Sequence, residues 1–166
     1  KCLSQIYQKD NDFFDEIVFR FIGKWFGNED WNLKINDLPE GLIQVKSPVT
    51  YVDSLVEISN SDLLLVIDAP FTSSVFFPSK LVDYIGSGRP ILAITPEGSC
   101  LNILKNIGGL HAFPDSIDSI SDGIESAINS LKNKSIKLPI KKEKERYSND
   151  YVSKEFEIMF KQLTNL

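Results

Sequence analysis

Short apolar runs alternate with amphipathic segments along most of this chain, and no other feature narrows its possible folds as much. The runs Leu63–Ile67 and Ile91–Thr95 are apolar on both faces, as strands of a covered parallel sheet must be. The expectation is an α/β fold, a Rossmann-like parallel sheet with helices on both faces. In chain order the pattern predicts a helix over 2–8, a turn at Asp10-Asn11-Asp12 and a strand over 17–22 stopped by Gly23. A helix over 28–35 and a strand over 42–45 follow. Thr50 then caps a helix to Ser59, with Asp53 in the capping-box position. Beyond the strand over 63–67, a loop over 68–77 leads to a helix that Gly88 ends and Pro90 prevents from continuing. The strand over 91–95, a helix over 100–107, a strand over 110–113 and a helix over 117–131 complete the pattern.

At 166 residues the length suits one main domain, 1–149, followed by a C-terminal helix over 150–166. That helix puts Tyr151, Val152, Phe156, Met159, Phe160 and Leu163 on one stripe, expected to pack on the domain or toward an N-terminal domain outside this chain. The opening on Lys1, already in helical sequence, suggests an excised fragment of a longer protein. A net charge of −5 argues against nucleic-acid binding, which needs a basic face. Cys2 and Cys100 form no metal or redox spacing and read as reduced thiols of a cytoplasmic protein. No apolar run approaches the length of a membrane span. Residues 132–146 carry Lys132, Lys134, Lys137, Lys141, Lys142, Lys144 and Arg146 and read as a solvated linker, with contact to an anionic membrane as the alternative.

The helix after Phe77 carries the candidate site. Pro78 suits the first helical position, which puts Phe77 at the N-cap, where it offers no oxygen to the amides of Ser79 and Lys80. Those amides, the Ser79 hydroxyl and the Lys80 ammonium can seat a diphosphate. Asp83, read as mid-helix and one turn beyond Ser79, aims its carboxylate back at the same spot, where it can accept hydrogen bonds from a ribose diol. Leu81, Val82 and Ile85 are expected to face the sheet, and Gly86 to leave room for a bulky ligand. The site falls at the carboxyl end of a strand, where open α/β sheets bind ligands.

The stretch "SPVTYVDSLVEISNSDLLLVIDAPFTSSVFFPSKLVDYIGSGRPILAI" resembles the donor-binding, C-terminal domain of GT-B fold glycosyltransferases, in particular the retaining kind that builds bacterial surface polysaccharides. The resemblance runs from about Ile17 to Leu163 and follows that family's order of helix, Asp-led strand, PSK-type loop, acidic helix and small-Gly-basic-Pro turn. It implies an NDP-sugar as donor substrate, no other cofactor and no metal. Asp83 matches the second of two family glutamates and would hold the ribose. The first falls at Val75, which cannot hydrogen-bond a sugar, so Thr72, Ser73 or Ser74 would serve instead. The base-binding edge maps onto Lys46, Ser47, Pro48 and Val49, and Lys24 could touch the phosphates. The acceptor, a glycan or lipid-linked sugar, would be held by a separate N-terminal domain, and the enzyme would work in the cytoplasm or at the inner face of the bacterial membrane. Alternatives are a nucleotide-sugar epimerase of the same architecture and a non-catalytic flavodoxin-like interaction module. The single histidine, His111, reads as structural, because no motif supplies it with a catalytic partner.

Overall fold

A computed structural model describes residues 1–24 and 37–164. The helix expected over 28–35, with Trp25, Phe26 and Trp31, lies outside the described residues. Parallel sheets flanked by helices make up the described chain, a Rossmann-like α/β arrangement. It divides into two compact units, Lys1–Glu57 and Ile58–Leu166.

In the first unit, α1 (Cys2–Lys9) precedes two parallel strands, β1 (Phe19–Ile22) and β2 (Ile43–Lys46). Among its described residues Ile6, Phe14 and Leu42 are the buried apolar ones, and the Phe14 ring meets those of Phe13 and Phe19 edge-on. Asp10-Asn11-Asp12 is a turn, with the Asp12 amide donating to Asp10 Oδ1 at 3.1 Å. α2 (Tyr51–Ser59) is capped by Thr50, as expected: the Asp53 amide donates to Thr50 Oγ1 at 3.2 Å, while the Asp53 carboxylate accepts from that hydroxyl at 2.7 Å rather than from the Thr50 amide of a full capping box.

The second unit is built on three parallel strands in the order β3 (Leu64–Ile67), β5 (Ile91–Ile94), β7 (Leu110–Ala112). Between the first two lie β4 (Ser73–Ser74) and α3 (Lys80–Ser87). Between the last two lie β6 (Glu97–Gly98) and α4 (Ser99–Ile107), and β4 pairs with β6 as a separate two-residue ribbon. Alternation along the strands decides the faces. Leu64, Val66, Ile91 and Ala93 pack with Leu81 and Ile85 of α3 and with Cys100, Leu104 and Ile107 of α4. The intervening residues face the other way, where α5 (Ile117–Lys132) packs on β5 and β7 through Ile124, Ala127 and Ile128. Side chains of this kind, fully buried, contribute about 1.5–3 kcal/mol each.

One expectation fails here. Val82 is exposed, because in an eight-residue helix only Leu81 and Ile85 fall on the buried stripe. The C-terminal helix, α7 (Asn149–Thr164), buries nothing among the described residues: its stripe of Tyr151, Val152, Phe156, Met159, Phe160 and Leu163 stands exposed, so of the two expected packings the one on this domain does not form. Within the stretch read as a linker, residues 141–145 form a short helix, α6 (Lys141–Glu145), which packs on α4.

Candidate functional site

The carboxyl ends of β3 and β5 organise the region that the sequence singles out. Asp68, directly after β3, donates its amide to the Ile94 carbonyl at 2.9 Å, which prolongs the ladder by one residue. Its carboxylate accepts from the Ala69 amide at 2.8 Å and from Thr95 Oγ1 at 3.3 Å. Thr95 is completely buried, and its own amide donates to the Ala112 carbonyl at 3.0 Å. A buried hydroxyl needs a partner, so Thr95 ties the start of the 68–79 loop to the centre of the sheet. Burial pushes the thiol of Cys100, at the start of α4, above its ordinary value; the Thr95 hydrogen bond opposes that shift and the Asp68 charge adds to it.

Farther along the loop, Gly98 lies against Ser74. It has φ +141°, and a Cβ built on it would stand 1.8 Å from the Ser74 carbonyl oxygen. Only glycine permits this approach. Ser99 Oγ donates to the Val75 carbonyl at 3.3 Å, so the loop is held from both sides of the β4–β6 ribbon.

The start of α3 differs from expectation in one respect. Phe77 is not the N-cap; Ser79 is, in a right-handed helical conformation and with no side-chain capping bond. The Leu81 amide donates to the Pro78 carbonyl at 2.8 Å and the Val82 amide to the Ser79 carbonyl at 3.2 Å. A tight turn of this type uses two of the amides that an α-helix start would leave over. The amides of Ser79 and Lys80 keep no acceptor among the described residues. With the helix beginning two residues later than expected, Asp83 sits in its first turn rather than mid-helix, half-buried, where a carboxylate favours the positive end of the dipole. Burial, with the Asp83 charge adding to it, raises the pKa of the next residue, Tyr84. Gly86 is exposed, and a Cβ there would meet nothing within 4 Å.

Ser79, Lys80 and Asp83 thus share one turn, and Ser74 lies in the ribbon that leads toward it. Val75 is 95% exposed, and Phe71 and Phe76 also turn their rings outward, so the loop presents an apolar rim that the sequence reading did not anticipate. Lys24, Ser47 and Val49 belong to the first unit. They are exposed at the carboxyl ends of β1 and β2, where the Gly23 amide donates to the Lys46 carbonyl at 3.1 Å. Lys46, also expected at the base-binding edge, is engaged elsewhere: its Nζ lies 2.9 Å from Glu57, which Arg20 joins at 3.0 Å. Lys46 first, and Arg20 with it, hold the Glu57 carboxyl below its ordinary value.

Two shallow hollows lie away from this end. One runs along α7 beside Phe156 and Phe160; the other, of about 540 Å³, lies beside His111 and Asp122 at the outer side of β7. His111 is exposed there with its ring edge-on to Phe113. Among the described residues no group of His, Cys, Asp and Glu has the arrangement of a metal site, and no helix is long and apolar enough to cross a membrane.

No protein-family model matches the chain, and a search of curated proteins finds no relative of it. The class that fold and site define is therefore the broad one, an α/β chain of Rossmann-like build.

Proposed function

We propose that this chain is the nucleotide-sugar-binding part of a glycosyltransferase that transfers a sugar to a glycan or lipid-linked acceptor. The observation that carries the reading is the pair of unused amides at Ser79 and Lys80, at the head of a helix that follows a strand's carboxyl end, with Asp83 in the same turn. A diphosphate would accept from the two amides and lie beside the Lys80 ammonium, and the Asp83 carboxylate would accept from the two ribose hydroxyls. The resemblance of the PSK loop and the acidic helix to GT-B donor domains supports the same assignment. As the glycosidic bond to the donor phosphate breaks, negative charge builds on the departing diphosphate. Donors fixed at Ser79 and Lys80 would then act most strongly in the transition state. The neighbouring hydroxyls of Thr72, Ser73 and Ser74 would meet the sugar in place of Val75.

Calorimetric titration with UDP, GDP and UDP-GlcNAc tests the proposal. Binding of at least one nucleotide, with UMP or GMP much weaker for want of the second phosphate, is the expected result. Absence of binding by all of them would refute it in favour of an interaction module.

A further inference from the structure

Every residue of α7 is exposed, including the whole apolar stripe, with Phe160 and Leu163 each at 61%. Phe156 and Phe160 stack on each other with ring centroids 6.3 Å apart, and both remain at least half exposed. The segment immediately before it has the opposite chemistry to the rest of the chain. Residues 132–146 hold seven basic and two acidic side chains, a net +5 in a chain of net −5, so the remainder carries −10. Lys137, Lys141 and Lys142 are exposed and interleaved with Leu138 and Ile140, which are exposed too. A hydrogen bond from the Ile140 amide to the Ile107 carbonyl, at 2.9 Å, fixes this strap to the end of α4.

We infer that the strap and α7 together form a docking element for an anionic lipid bilayer. The stripe would bury its aromatic rings among the acyl chains while the lysines meet lipid phosphates, the two signals that stable surface binding needs. The polar side of α7 is close to neutral, with Asp150, Glu155 and Glu157 against Lys154 and Lys161, so the attraction comes from the strap. Charge argues against a second copy of the chain joined through parallel α7 helices, which would bring two basic straps side by side.

The test is co-sedimentation of the intact chain with vesicles of phosphatidylcholine, with and without phosphatidylglycerol. The chain should partition onto the anionic vesicles alone and be released by salt. Replacing Lys137, Lys141 and Lys142 together by Gln should weaken partitioning roughly a hundredfold. F156S with F160S should abolish it although every lysine remains, and circular dichroism should be unchanged in both variants because all five positions are exposed. Failure of the chain to sediment with anionic vesicles overturns the inference. So does equal binding to neutral vesicles, or a sedimentation-velocity dimer that F156S with F160S dissolves while vesicles go unbound.

Discussion

Replacing Gly98 by Ala tests how the 68–79 loop is held. The added Cβ would stand 1.8 Å from the Ser74 carbonyl oxygen and 2.7 Å from its carbon, where real contacts essentially never fall below 3.0 Å. One backbone or the other must move by more than 1 Å, since no side-chain rotation relieves a clash with main chain. The same residue would be forced to keep φ +141°, a region costing a non-glycine residue about 1–3 kcal/mol. Losing the β4–β6 ribbon and the Ser99 bond to Val75 adds about 1 kcal/mol. The total is about 2–4 kcal/mol. With a urea dependence of about 2 kcal/mol per molar, the unfolding midpoint followed by circular dichroism should fall by about 1–2 M. A midpoint within about 0.2 M of the parent would refute the reasoning, because the clash would have been absorbed at almost no cost.

Gly86→Ala should act in the opposite direction, stabilising by about 0.5–1 kcal/mol in the same assay because the position is helical, exposed and open. If a nucleotide lies over that face of α3, the same methyl should weaken UDP or GDP binding several-fold; unchanged affinity would move the ligand elsewhere. Asp83→Ala should lower nucleotide affinity by about 1–3 kcal/mol, and Asp83→Asn by less, in calorimetric titrations; equal affinities across the series would remove the ribose contact. Of the two thiols, the partly exposed Cys2 should react with Ellman's reagent in the folded protein, and the buried Cys100 only at the rate of unfolding. Because folding raises the Cys100 pKa, the stability that its neutral thiol contributes is complete below the ordinary value of 9.0 and is lost as pH rises from there toward the folded value. Urea midpoints from about pH 8 to about pH 10 should therefore fall less steeply in Cys100→Ala.

Where the sequence is strongly periodic, it predicts the fold to within a residue or two. Leu63–Ile67 and Ile91–Thr95 become β3 and β5, and Gly88 and Gly108 end α3 and α4 in the left-handed conformation. Thr50 caps α2 as expected. What stayed hidden depends on contacts between residues remote in sequence. Nothing local tells that Ser73-Ser74 pairs with Glu97-Gly98, or that Thr95 spends its hydroxyl on Asp68. The entry to α3 was missed by two residues, because Pro78 is as compatible with a tight preceding turn as with a first helical position. The grouping of Ser79, Lys80 and Asp83 survives that shift, since all three remain within one turn. The exposure of α7 could not be read from its stripe, because an apolar periodicity records that a face avoids water and not what covers it.

The connections of the second unit are strongly unequal in length. At the amino ends of the strands the chain turns from α3 into β5 through Gly88, Arg89 and Pro90, and from α4 into β7 through Gly108 and Gly109 alone. Arg89 fastens the first of these turns by donating to the Ser59 carbonyl. At the opposite ends the chain takes twelve residues, 68–79, to pass from β3 to α3. Fluorophores, spacer peptides or natural length variation should therefore be accommodated around Phe71, whereas even a one-residue insertion at either glycine turn would rotate a returning strand out of register.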